Sequence, residues 1–312
     1  MYVSDKKIMD YFSMALIVCL PWFCTSWVMW SWIWEMVILM AVLWIGWRTG
    51  LKWTAIYLLT GYGLAAISFH GPGLQQMGYV PWAGLITVYG LKKDWPLRFT
   101  FFWSIVAAGL LGAIPIVIFP QPDLQSQDFL NSLMTQYESK GLLPALQEQG
   151  ITEPELRTML EQVLQVYARI IPALAAVSAI AEFSLICYFF LRWSDPLRKK
   201  RVPFSFWRLP WYAVWGVIAA LICYLLGDEL SWLWLSSLGL NLLVVYAAVT
   251  SVVGISVYVF FLRSPHVPRL VKWMLILGNV LYFYYSWVSI ILFGLFDLVF
   301  NFRRLPEGAR GK

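Results

Sequence analysis

With 312 residues, of which 60% are hydrophobic and 13% charged, the chain carries more apolar surface than a soluble globule can cover, so composition points to a polytopic membrane protein. The formal charge of +6, from 23 basic and 17 acidic residues, raises nucleic acid as a partner, but the basic residues stand between apolar runs, where membrane topology accounts for them. Nineteen Trp and sixteen Tyr suit the two headgroup regions and the walls of intramembrane cavities.

The first stretch, MYVSDKKIMDYFSMALIVCLPWF, has the basic start and apolar run of a signal peptide. No small-residue cleavage site follows, so it reads as a retained first helix. Further apolar runs give the set 11–30, 32–47, 53–69, 79–91, 99–119, 168–191, 210–227, 232–262 and 273–299. A crossing needs about 20 residues, and two runs miss that length. Residues 79–91, YVPWAGLITVYGL with Pro81 near the start, suit a half-helix or re-entrant element. The 31 residues of 232–262 form one tilted helix or are broken near SSLGLN. The expected fold is therefore all-α: one membrane domain over 1–312, a transmembrane bundle of about eight to nine membrane segments.

Between the runs, Glu35 in WSWIWEMV is flanked by tryptophans and is expected to snorkel at an interface. His70 in FHGPGLQQMGY reads as part of a tight turn, and His266, the other histidine, also falls in a loop. Residues 121–165 carry seven acidic and two basic residues, a local charge of −5. Within them, ITEPELRTMLEQVLQVYARII opens with a capping box, Thr152 to Glu155, with Pro154 in the first turn, and then places Leu156, Leu160, Val163 and Tyr167 on one face. DLQSQDFLNSLMTQYESKG is a weaker helix ending at Gly141. This pair is expected to lie on the outer membrane surface, to lid a cavity, or to serve as a connector.

Basic residues in short loops set the orientation. Arg48 and Lys52, then Lys92, Lys93 and Arg98, then the block from Arg192 to Arg208 mark the cytoplasmic side, and the acidic 121–165 loop the outside. Lys6 and Lys7 then place the N-terminus in the cytoplasm, in a multi-pass protein of the bacterial inner membrane. The far end stays open: a last helix leaving the cytoplasm at Lys272 would put Arg303, Arg304 and Arg310 outside, against the rule, unless 232–262 crosses twice.

Catalytic motifs are missing from the sequence: no Walker loop, dinucleotide glycine fingerprint, HExxH or GxSxG occurs. Neither an enzyme, nor a cofactor, nor a metal site is expected. Cys19, Cys24, Cys187 and Cys223 lie in apolar runs without ligand spacing and read as small buried residues. What remains is polar groups inside the membrane, each costly enough to be a functional candidate. Glu182 sits midway along its run, and Asn241, Asn279, Tyr282, Tyr284 and Tyr285 lie in later ones. Glu182, Asn241, Asn279, Tyr282 and Tyr285 are the candidate ligand-binding residues, with interhelical hydrogen bonding as the competing role of the asparagines.

Three stretches, RVPFSFWRLPWYAVW, GLNLLVVYAAVTSVVGISVYVFFL and FGLFDLVFNFRRL, resemble the YybS-like family of bacterial membrane proteins. Pro203, Phe206, Trp207, Arg208, Leu209 and Pro210 correspond to its proline-to-W-R-L-P entry stretch; Asn241, Gly254, Ser256 and Val257 to its asparagine helix; Gly294, Asp297 and Arg303 to its terminal motif. That family is similar to the substrate-binding S-components of energy-coupling-factor vitamin transporters, which implies a bundle with a membrane-embedded ligand cavity. S-components dock their partner through small-xxx-small positions on the first helix; here only Ala175 and Ala179, on a later run, supply such a pair.

Asp297 and Arg303 are six apart in sequence, not the three or four of helical neighbours. Asp297 is therefore expected to meet a basic group of another segment, Arg208 if the C-terminus is cytoplasmic, leaving Arg303 and Arg304 for lipid phosphates. Asp297, Arg208 and Arg303 are the structural candidates. Two functions follow: binding of a small molecule or lipid in an S-component-like cavity as part of a transporter, or a non-catalytic scaffold or assembly role, recruiting a partner through the loops. Expected partners are membrane lipids, a small-molecule ligand and other membrane subunits, not nucleic acid.

Overall fold

Long apolar runs with few turn signals fold as helices, because inside a bilayer only internally hydrogen-bonded backbone is tolerated. The computed structural model describes residues 2–26, 30–69, 77–118, 126–148, 150–194, 203–265, 267–281 and 283–303. They form α1 (Tyr2–Ser26), α2 (Ser31–Thr49), α3 (Leu51–Ser68), α4 (Ala83–Lys92), α5 (Leu97–Ile118), α6 (Gln127–Ser139), α7 (Leu142–Glu148), α8 (Glu153–Trp193), α9 (Val214–Glu229), α10 (Leu233–Arg263), α11 (Arg269–Leu281) and α12 (Phe283–Phe300), with 3₁₀ turns at Val80–Trp82, Phe204–Phe206 and Trp211–Ala213. By length and composition, Ser31–Thr49, Leu97–Ile118, Glu153–Trp193, Trp211–Glu229 and Leu233–Arg263 can each cross a membrane, and Met9–Cys24 and Trp287–Phe300 are shorter apolar stretches. This is the all-α membrane bundle that composition predicts.

The two runs of unusual length resolve differently. Residues 80–92 form a half-helix: a 3₁₀ turn with Pro81 in its first positions leads into the ten residues of α4. Residues 233–263 stay unbroken as α10, about 46 Å long at 1.5 Å per residue. In the last run, read as one segment over 273–299, the described residues are helical up to Leu281 in α11 and from Phe283 in α12.

The 41 residues of α8 reach about 62 Å, roughly twice a bilayer core, so its first turns stand clear of the hydrocarbon. There the predicted capping box forms, with Thr152 N–H donating to Glu155 Oε2 at 2.9 Å. Arg157 Nη2 donates to Asn131 Oδ1 at 2.6 Å and Gln127 Oε1 at 3.0 Å, tying α6 to this outer arm.

Two buried clusters hold six of the first eight helices together. Ile17, Cys24, Ile38, Ile45, Leu58 and Ala65 join α1, α2 and α3. Leu39, Leu43, Val88, Ala108, Phe183 and Phe190 join α2, α4, α5 and α8, so α2 shares both. Gly112 of α5 lets α8 approach so closely that an added Cβ would collide with Ala179 and lie 3.0 Å from Ala175 O. The small-xxx-small pair is thus spent inside this chain. The remaining helices assemble on α10, which packs against α8, α9 and α12.

Candidate functional site

Among the described residues, besides the Arg48–Asp10 ion pair, buried or half-buried charged groups stand in two places of interest, and the first is the end of α12. That helix stops at Phe300, and Asn301 takes φ +48°, a left-handed conformation that asparagine tolerates better than most residues. The reversal brings Arg303 back over the last turn. Its Nε and Nη2 donate to Asp297 Oδ2 at 3.1 and 2.7 Å, with both side chains fully buried. Nη1 donates to Ser205 O at 2.7 Å and Ser256 Oγ at 2.8 Å, and Nη2 to Trp207 O at 2.8 Å. Ser256 Oγ in turn donates to Phe204 O at 2.6 Å. These bonds account for all five guanidinium N–H groups.

Glycines make this closeness possible: a Cβ on Gly294 would strike Thr250 O, and one on Gly254 would strike Ile290 O. The expectation that Asp297 meets Arg208 is corrected, because the spacing of six forbids pairing only while the helix continues. Arg208 instead donates from Nη2 to Leu298 O at 3.4 Å, one of the free carbonyls in the last turn of α12. Arg303 is buried, not turned to lipid phosphates, and Arg304 lies outside the described residues. The C-terminal turn therefore shares one end of the bundle with residues 204–208, which closes the topological question the sequence left open: whichever side holds the end of the basic block also holds Arg303.

The second place is the start of the half-helix. Glu35, in the second turn of α2, is half-buried and folds over Gly78, where no Cβ would fit. This replaces the expected snorkelling position. Its Oε1 accepts the Val80 N–H at 2.8 Å, placing the carboxylate at the positive end of the 3₁₀ turn and α4. Tyr62 of α3, buried, donates its hydroxyl to Gly78 O and sets its ring against Tyr79 and Trp82, with centroids 6.2 and 5.4 Å away. Glu182, half-buried, lies on α8, which packs against α2. Among the described residues, neither has an ion-pair partner.

Asn241 is not with them. Its Oδ1 accepts the Ala173 N–H at 2.7 Å, and its Nδ2 donates to Arg169 O and to Ser237 O, both at 2.7 Å. Arg169 O and Ala173 N–H are the two groups that one helical bond would join, and they flank Pro172, so Asn241 braces α8 where proline weakens the ladder. Tyr282 and the side chains of Asn279, Tyr284 and Tyr285 lie outside the described residues. Of the sequence candidates, Glu182 lies on a helix packed against the one that carries Glu35. Glu35 and Tyr62 were not among those candidates, although Glu35 satisfies the rule that selected Glu182, a carboxylate within an apolar run. Among the described residues, no group of three or more His, Cys, Asp or Glu is placed to hold a metal ion.

The family model described as "Predicted membrane protein (DUF2232)" matches residues 33–298, a stretch containing Glu35, Glu182 and Asp297. No curated protein and no solved structure matches the chain.

Proposed function

The chain belongs to the DUF2232 family of predicted membrane proteins, and on that premise we propose that it binds a small molecule at the Glu35–Glu182 site, as the recognition part of a transporter. The reading is non-catalytic, and its localisation is the bacterial inner membrane with the N-terminus in the cytoplasm. One observation carries it: two half-buried carboxylates stand on packed helices, Glu35 on α2 and Glu182 on α8, without a cation among the described residues. A carboxylate in low-dielectric surroundings is costly without a counter-charge, and a ligand carrying a cation or several hydrogen-bond donors offsets that cost.

The surroundings suit such a ligand, since Tyr62, Tyr79 and Trp82 provide aromatic walls and a cation over an aromatic face gains further. The half-helix beginning at Val80 supports the same reading, as interrupted helices mark binding sites in many transporters. The resemblance to S-components agrees with it, although the motif residues Ser256, Gly294, Asp297 and Arg303 serve the other charged centre. A scaffold role rests on a different observation, the shallow apolar groove along the outer arm of α8 at Val163, Val166, Tyr167 and Ile170.

Native mass spectrometry of protein purified in mild detergent tests the proposal. A non-covalent small-molecule adduct is expected on the wild type and is expected to be lost in Glu182→Gln and Glu35→Gln. An adduct that survives both substitutions, or a wild type bearing none, removes the site.

A further inference from the structure

The segment from Pro203 to Ala213 runs along one end of the bundle with its backbone committed inward. Its carbonyls at Phe204, Ser205 and Trp207 accept from Ser256 and Arg303. Its side chains turn the other way: Phe206, Trp207, Trp211 and, one turn on, Trp215 are 40, 39, 60 and 60% exposed. Tryptophans so displayed at the end of a transmembrane bundle mark the level of the lipid headgroups.

Arg208 stands among them, half-buried. Its contact with Leu298 O satisfies one N–H, but Nε is buried without a hydrogen-bond partner. No carboxylate neutralises it among the described residues. Asp297 is the acid of that neighbourhood, and Arg303 already occupies both its oxygens. Four residues further on, the Tyr212 hydroxyl is also buried without a partner, while its ring rests edge-on against Phe102. A cation and a hydroxyl donor, each with a polar atom lacking a partner beside exposed tryptophans, match the phosphodiester of an anionic phospholipid.

We propose that residues 203–215 form a binding site for an anionic phospholipid headgroup, with Arg208 and Tyr212 donating to its phosphate and Trp207 and Trp211 lying against the glycerol and upper acyl chains. The site is separate from the Glu35–Glu182 cluster and does not depend on it.

The test is native mass spectrometry of protein released from micelles that contain equal amounts of phosphatidylglycerol and phosphatidylcholine. Wild type is expected to retain phosphatidylglycerol preferentially. Arg208→Gln is expected to lower that preference about fivefold, the equivalent of about 1 kcal/mol for one basic residue at a membrane surface. Tyr212→Phe, which leaves the contact with Leu298 intact, is expected to lower it in the same direction, and Lys93→Gln, an exposed cation elsewhere, to leave it unchanged. Equal retention in wild type and Arg208→Gln overturns the proposal. So does an equal loss in Lys93→Gln, which would indicate diffuse attraction, or an Arg208-dependent adduct formed with inorganic phosphate alone in lipid-free detergent, which would assign the site to a soluble anion.

Discussion

At the end of α12, Asp297 and Arg303 neutralise each other and every guanidinium N–H has an acceptor. At the start of the half-helix, Glu35 and Glu182 share a sign and have no cation among the described residues. Both centres cost the protein desolvation, but only the first recovers it from within. A saturated charge group inside a membrane protein is an element of structure, while the uncompensated carboxylates are the groups on which the binding proposal rests. The motif that resembles the YybS-like family marks the saturated centre, so those residues identify the fold more than the ligand.

The largest effect expected is at the ion pair. Asp297→Asn leaves Arg303 buried without its counter-charge and should cost about 3–5 kcal/mol, read as a lower midpoint of thermal unfolding in detergent. Arg303→Met should do the same from the other side. The double variant should lose less than the two single losses added, because the partners act as a unit. A wild-type midpoint for Asp297→Asn would erase the contrast between the two centres.

Next come the carboxylates, where the signs should reverse. Glu182→Gln removes a carboxylate that has no ion-pair partner among the described residues, so the midpoint should hold or rise. Ligand retention should fall roughly tenfold or more, as expected when a charge-assisted hydrogen bond worth about 1.5–3 kcal/mol is lost. A stability loss as large as that of Asp297→Asn would make Glu182 a structural residue and merge the two classes.

Asn241→Leu sharpens the comparison at smaller scale. It withdraws the brace beside Pro172 and should cost roughly 0.6–2 kcal/mol, with ligand retention by the folded fraction unchanged; a selective loss of binding would move Asn241 into the site. Smallest in energy is a labelling experiment. Cysteines at Ser139 and Lys93, both exposed, should differ in intact cells, the first reacting with an impermeant thiol reagent and the second not. A cysteine appended after Lys312 should behave like the one at Lys93, because Arg303 sits with the end of the basic block. The reverse pattern would invert the orientation while leaving both charged centres intact.

Much of this architecture is legible in the sequence because bilayer thickness imposes lengths. The short helix at 83–92 was visible from its length and Pro81, and the start of α8 from Thr152, Pro154 and Glu155. The pairing of Asp297 with Arg303 was hidden by an assumption of helical continuity, and Asn301, suited to a left-handed turn, was the residue that should have suspended it. Glu35 was misplaced because its flanking tryptophans suggested an interface, while the feature that receives it, the space over Gly78 and the Val80 N–H, belongs to a segment more than forty residues away and has no signature of its own.

The knot around Arg303 also bears on the order in which the protein assembles. It joins three stretches, at Ser205, Ser256 and Arg303, separated by 51 and 47 residues, and contacts closing such long loops pay their entropy before they gain any energy. They are expected to form after the helices have inserted and paired, late on the path and past the main barrier. Weakening the knot should then leave the folding rate nearly untouched and speed unfolding instead. Its contribution is to lifetime: once closed, it delays the departure of α12 from α10.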